Sequence, residues 1–343
     1  MRKGSVMPVF LSVALLLSGC GAEQKEVVSQ VEKEIKIGMI FDTFVVERWQ
    51  RDRDVFVATA QDLGAEVDTQ NANGSVEKQE QLMRYFIDEQ MDAIVIVPIE
   101  SEALCDEIRE ARDHGIKVVS YDRLVLNAGT DLYVSFDNEG VGALMGEAFT
   151  DTLKPGDKIV MICGSQTDAN VASVEKGFRN VVTAYGLDIA DVCYAADWEA
   201  EEAGKYVDEH TELLENVRGI MCGNDNLAGS AIQALAENRM DTPVVIGQDA
   251  DLDACQRIVE GSQYMTVYKP VEKLAQKAAE ATIELVTEGK IEGDTTVNDG
   301  EFDVPFIMLN PLAVTKKNIN ATIIDSGFHM KEEVYLNRPE EMP

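Results

Sequence analysis

The sequence predicts an α/β protein of two doubly wound, parallel-sheet lobes, and three observations lead there. From Ile35 onward, short Val- and Ile-rich runs alternate with amphipathic segments. The runs are continuously apolar rather than alternating, as in strands covered by helices on both faces. The rhythm also breaks over 124 to 138 and then restarts, and 343 residues give room for two cores.

The N-terminus stands apart from both lobes. Arg2 and Lys3 precede the apolar run Val6 to Leu17, followed by Leu17-Ser18-Gly19-Cys20. A basic start, an apolar stretch too short to span a membrane and small residues before a cut describe an export signal over 1–19. Cys20 then resembles the cysteine of a bacterial lipobox, which carries lipid and becomes the mature N-terminus. Residues 20–34, rich in Glu, Gln, Lys and Ser, form a solvated tether behind it.

IKIGMIF (35 to 41) reads as a buried strand, and Glu47 to Leu63 puts Phe56, Ala60 and Leu63 at helical spacing. AEVDTQ (65 to 70) is the next strand; Asn71-Ala72-Asn73-Gly74 turns the chain into a helix capped by Ser75. AIVIVP (93 to 98) leads to a helix over Ser101 to His114, and IKVVSYDR (116 to 123) is the fourth run. Beyond the break come a helix over Glu139 to Leu153, strand 158–163, helix 170–186, strand 192–196, helix 199–215, strand 218–223, helix 226–239 and strand 243–248. After a short helix and the strand leading to Lys269, a long amphipathic segment runs from Val271 to Glu288. Residues 301–330 read as irregular with extended pieces, and 331–343 as a frayed tail. No sequence repeat links the two halves.

Composition removes several classes of function. With 62 acidic against 30 basic residues the formal charge is −32, which disfavours nucleic acid and anionic surfaces as partners. Beside Cys20, the cysteines Cys105, Cys163, Cys193, Cys222 and Cys255 make an odd set with no close spacing and do not read as a disulfide framework; Cys163 and Cys222 fall in strand-like runs, where a buried thiol is expected rather than catalysis. His114, His210 and His329 are scattered and suggest no metal centre. Asp249, Asp251, Asp253 and Glu260 do fall at positions 1, 3, 5 and 12 of an EF-hand-like loop. Ala254 stands where that loop needs glycine, however, and a helix over 251–260 would splay the ligands, so the acidic run fits a helix N-terminus better. No metal or cofactor is expected.

The chemistry sits at the strand ends, where an open α/β sheet meets its ligand. In Val244 to Pro270, Asp249 ends one β-rich run and Lys269 ends the next. Arg48 and Trp49 follow the first strand, Asp122 and Arg123 the fourth; Asp168, Asn170, Trp198 and Asn224 follow strands of the second half. Carboxylates, amides, fixed cations and aromatic rings together suit a polyol, whose hydroxyls both donate and accept and whose ring faces are apolar. Singly, each residue could equally be a solvated charge or a helix cap.

Seven segments carry a resemblance to a family: ERWQRDRD (47 to 54), SYDRL (120 to 124), SFDNEGVG (135 to 142), GSQTDANVA (164 to 172), CGNDNLAGSAIQAL (222 to 235), GQDADL (247 to 252) and TVYKP (266 to 270). Together they resemble the D-xylose-binding proteins of the periplasmic sugar-binding superfamily over about residues 35 to 330. The resemblance implies two lobes joined by three crossovers, residues 35–134 with 270–300 and 135–269 with 301–330, closing on a pyranose. Carried over by motif, Arg48, Asp122 and Arg123 of the first lobe and Asp168, Asn170, Asn224 and Asp249 of the second would contact it. Trp49 and Trp198 would stack on its ring, and Lys269 would sit at a crossover near the hinge. ADWEAEEA around Trp198 and the pair Gln166-Thr167 depart from the family's pattern, which bears on the choice of sugar rather than the class.

The function implied is a monomeric, extracytoplasmic, lipid-anchored binding protein that takes an aldopyranose, D-xylose first and glucose or another aldose next, to the permease of an ABC importer. A sensor subunit presenting sugar to a histidine kinase or chemoreceptor is the alternative. The sequence holds no nucleophile elbow, phosphate loop or His-centred dyad, so no enzyme is expected.

Overall fold

The computed structural model describes residues 34–45 and 47–343; the export signal, Cys20 and the tether through Lys33 lie outside the described residues. The first half builds β1 (Ile35–Phe41), α1 (Glu47–Asp62), β2 (Ala65–Asn71), α2 (Val76–Asp88), β3 (Ala93–Ile96), α3 (Cys105–Asp113), β4 (Lys117–Tyr121) and β5 (Leu132–Phe136). The second builds α4 (Asn138–Thr152), β6 (Lys158–Cys163), α5 (Ala169–Tyr185), β7 (Asp188–Tyr194), α6 (Ala200–Glu209), α7 (Thr211–Leu214), β8 (Val217–Cys222), α8 (Asp225–Glu237), β9 (Val244–Gln248), α9 (Leu252–Glu260) and β10 (Met265–Tyr268). Then follow α10 (Val271–Glu288), β11 (Thr295–Asn298), β12 (Asp303–Leu309), β13 (Leu312–Thr315) and α11 (Lys331–Val334).

Two sheets result, ordered β11-β12-β5-β4-β3-β1-β2 and β13-β10-β9-β8-β6-β7. All pairs are parallel except β11–β12 and β10–β13. The apolar runs are buried on both faces, since β3 and most of β1, β4, β6 and β8 lie inside helical layers. The chain passes between sheets three times: from β5 into α4, from β10 into α10, which packs on α1, and from β12 into β13. Close packing of α4 on α5 depends on glycine: a methyl at Gly142 would strike the Val174 carbonyl, and one at Gly177 the Glu139 carbonyl.

Four expectations are revised. Residues 303–309 do not belong to the second lobe, because β12 pairs with β5 and β11 with β12; the last crossing falls between Leu309 and Leu312. The helix expected from Ser101 starts at Cys105, since Leu104 takes a left-handed φ of 71° and Ser101 is drawn into contact with residues 167–169. The strand expected over 192–196 spans Asp188–Tyr194. The tail is packed rather than frayed: Val334 and Tyr335 are buried against Ile258 and Val259, and Gln256 Nε2 donates to the Glu333 carbonyl at 2.8 Å. None of the described helices is long and apolar enough to cross a membrane.

Candidate functional site

The carboxyl ends of the two sheets face each other, and every one of the ten residues expected at the site lines a single cavity there, of about 50 Å³. Asn138 and Gln248 complete its lining. Each side chain gets its position from the element behind it.

Arg48 and Trp49 lie in the first turn of α1. The Arg48 guanidinium donates to Asp122 Oδ2 at 2.7 Å, reaches Asp52 one turn on at 3.4 Å and rests over the Trp49 ring at 4.3 Å. Asp52 is held in turn by the Tyr121 hydroxyl. Burial pushes the Asp52 carboxyl up to about 6, against the pull of Arg48 and Tyr121. Burial also opposes the charge of Arg48, but Asp122, Asp52 and Asp249 outweigh it and hold the guanidinium protonated. Trp49 is thus built into the first-lobe core, with one ring face already covered by an arginine.

Asp122 and Arg123 follow β4, where the backbone at Asp122 has a left-handed φ of 62°. That unusual conformation is over-determined. Asp122 N–H donates to the Val134 carbonyl at 2.8 Å, and its own carbonyl accepts from Ser135 Oγ at 2.6 Å, Tyr133 Oη at 2.9 Å and Asn170 Nδ2 at 3.1 Å. Burial would raise the Asp122 carboxyl, yet Arg48, Lys269 and Arg123 together hold it below its ordinary range. Arg123 pairs with Asp42 of its own lobe and with Asp168 of the other, both at 2.8 Å.

The second lobe presents its groups at helix N-termini. Asp168 caps α5 by accepting from Asn170 N–H at 2.9 Å, and Asn224 caps α8 by accepting from Leu227 N–H at 2.9 Å. Burial raises the Asp168 carboxyl, with Arg123 countering part of the effect. Trp198 stands on a short 3₁₀ turn at a φ of 61°. Its ring lies so close over Gly164 that a methyl there would overlap it, and Gly223 lies beside the same ring.

Asp249 directly follows β9 with a φ of 99°, and the next residue, Ala250, has a φ of 57°. Their N–H groups are tied to the Val267 carbonyl at 2.8 Å and to Thr266 Oγ1 at 3.0 Å. Asp249 Oδ1 is 2.7 Å from Lys269 Nζ and 3.9 Å from Arg48 Nη1. The first contact is an ion pair without hydrogen-bond geometry, so Oδ1 remains a buried acceptor lacking a hydrogen bond. Trp49 Nε1, Trp198 Nε1 and Gln248 Oε1 are buried with no hydrogen-bond partner of any kind. Native interiors rarely leave such atoms idle, and these three on one cavity have hydrogen-bonding capacity to offer a polar solute.

The acidic run after Asp249 behaves as a helix start: Asp251 precedes α9, and no group of side chains among the described residues could hold a metal ion. Sequence reasoning passed over Gln248, one residue before Asp249, and Asn138, which lies inside the SFDNEGVG segment. It also missed the bracing residues Asp42 and Asp52. Asp225, the first residue of α8, does not cap it, since Asn224 does; Asp225 is buried and accepts from Thr266 Oγ1 and Gln263 Nε2, both at 2.7 Å.

Two lobes, three crossovers and a polar cavity drawn from both sheets define the class of two-lobed solute-binding proteins. The family profile described as "Periplasmic binding protein domain" matches residues 37–291. The chain belongs to the periplasmic binding protein family. It is 43% identical to the D-xylose-binding periplasmic protein of Haemophilus influenzae, over 88% of this chain and 93% of that one. It is 39% identical to the D-xylose-binding periplasmic protein of Escherichia coli, over 93% and 98%. Among solved structures it resembles an ABC transporter solute-binding protein from Clostridium phytofermentans with bound β-D-glucose. There the TM-score is 0.81 and the identity 26%, covering 87% of this chain and 99% of that one. All three relatives are named for binding a solute.

Proposed function

We propose that the protein captures D-xylose between its lobes, outside the cytoplasm, and delivers it to an ABC sugar importer. The observation that carries this reading is the cavity itself: arginines from one lobe face carboxylates and amides from the other, with unpartnered polar atoms between them. The names of the two relatives above support the choice of sugar.

At about 50 Å³ the cavity is far smaller than the several hundred typical of small-molecule sites. A sugar ring therefore enters by separating the charges now in contact. Its hydroxyls take over the sides of Asp249 that Lys269 and Arg48 hold, and reach Gln248 and the two indole N–H groups. Trp198, the more exposed of the two indoles, offers a face for the ring, and Trp49 with its arginine supplies the opposite wall. Only the closed form makes all these contacts, so ligand shifts the population toward it. Micromolar capture needs about 8 kcal/mol net, within reach of several charge-assisted hydrogen bonds after ordering costs.

D-xylose at millimolar concentration should raise the melting temperature by several degrees. No shift with any pentose or hexose would overturn the reading. Anchoring through lipid on Cys20 completes the proposal: Cys20→Ser should move the protein from the membrane fraction to the soluble one, and a variant that stays with the membrane removes the lipid.

A further inference from the structure

Ser101 lies outside the cavity, in the loop between β3 and α3, yet it is buried. Its Oγ accepts from Ala169 N–H at 2.9 Å, and its own N–H donates to the Thr167 carbonyl at 2.8 Å. Ala169 is the first residue of α5, where backbone amides have no intrahelical acceptor. The end of that second-lobe helix is therefore capped from both lobes: Asp168 takes the Asn170 amide, and Ser101 takes the Ala169 amide.

The loop that offers Ser101 is braced from behind. Buried Gln79 donates through Nε2 to the Val97 carbonyl at 2.7 Å and accepts at Oε1 from Ile99 N–H at 3.0 Å. The Ser101 carbonyl accepts from Leu126 N–H at 2.6 Å. In the sheets, β3 is separated by β4 from β5, the strand that leads into the first crossover, and β6 lies beyond β8 and β9 from β10 and β13. The Ser101 contacts thus stand away from the strands that lead into the crossovers, where a hinge rotation would separate them.

We propose that Ser101 is an affinity-determining residue that acts without touching the ligand, by latching the closed form across the mouth of the cleft. The inference rests on the two-lobe capture reading above. On opening, the Ala169 amide exchanges Ser101 for water, so the bond counts only toward the closed state. Apparent affinity scales with the population of the form competent to hold the ligand.

The test compares wild type with Ser101→Ala by calorimetric titration of D-xylose and D-glucose, together with ligand-free melting. The expected result is a Kd raised about five- to tenfold, by the same factor for each sugar that wild type binds, with ligand-free melting lowered less than melting with sugar bound. Wild-type affinity in the variant overturns the latch. So does a factor that differs between sugars, which would put Ser101 in contact with the ligand. So does a ligand-free melting temperature that falls as far as the liganded one, which would make Ser101 a structural residue only. If wild type binds no sugar, the capture reading fails by itself, and the latch is read from X-ray scattering of the ligand-free protein. There an expanded Ser101→Ala variant supports it and a superimposable one overturns it.

Discussion

The two halves of the site are fixed by different means. Both arginines come from the first lobe, and each is held by carboxylates from elsewhere in the sequence: Arg48 by Asp122, Arg123 by Asp42. The carboxylates that answer them across the cleft, Asp249 and Asp168, come from the second lobe. There the positioning is local, through the caps of α5 and α8 and the two backbone ties at Asp249 and Ala250. A cationic half built from long-range ion pairs therefore meets an acceptor-rich half built from helix ends and one strained turn. The first half is rigid because its charges are buried together; the second is rigid because its backbone is. Damage to the first should propagate between residues, whereas damage to the second should stay with the residue changed.

The widest break in this comparison is expected at Asp249, among the described residues the one carboxylate ion-paired with both the first-lobe arginine and the crossover lysine. Asp249→Ala removes the carboxylate that would accept from the sugar's hydroxyls, and a hydrogen bond to a charged group is worth about 1.5–3 kcal/mol. Expressed in binding, that is a loss of roughly 10- to 100-fold. D-xylose titration should show that loss while thermal unfolding stays cooperative. A variant that binds at wild-type strength would take Asp249 out of the site and leave the second half with caps alone.

The contrast also explains what could be read from the sequence. Residues at the ends of β-rich runs were legible, because an open α/β sheet delivers strand ends to one place; Asp122, Asp249 and Lys269 follow from that rule alone. The two-sheet architecture was legible for the same reason, from continuously apolar runs. Asp52 was not, because in ERWQRDRD it looks like one more charge on a helix surface. Its burial depends on Tyr121, which arrives from 69 residues away. Ser101 read as an ordinary helix start, and only the approach of the second lobe shows why the helix is delayed to Cys105. The pairing of β12 with β5 was hidden as well, since a return to the first sheet leaves no mark in local periodicity.

A finer test of the first half uses the proton on Asp52. Its folded-state value of about 6 lies above its ordinary 3.8, so between those values the folded protein binds more protons than the unfolded chain. Stability contributed by this group is therefore greatest at low pH and declines as pH rises from about 4 to about 6; the whole span corresponds to about 3 kcal/mol at most. Asp52→Asn keeps an acceptor for the Tyr121 hydroxyl and removes the titration. The melting temperature of Asp52→Asn relative to wild type should climb by several degrees across that window and level off above it. A difference that stays flat from pH 4 to 7 would mean that Asp52 titrates as an ordinary carboxylate, and the cationic half would then owe its rigidity to Asp122 and Asp42 without the buried Asp52–Tyr121 brace.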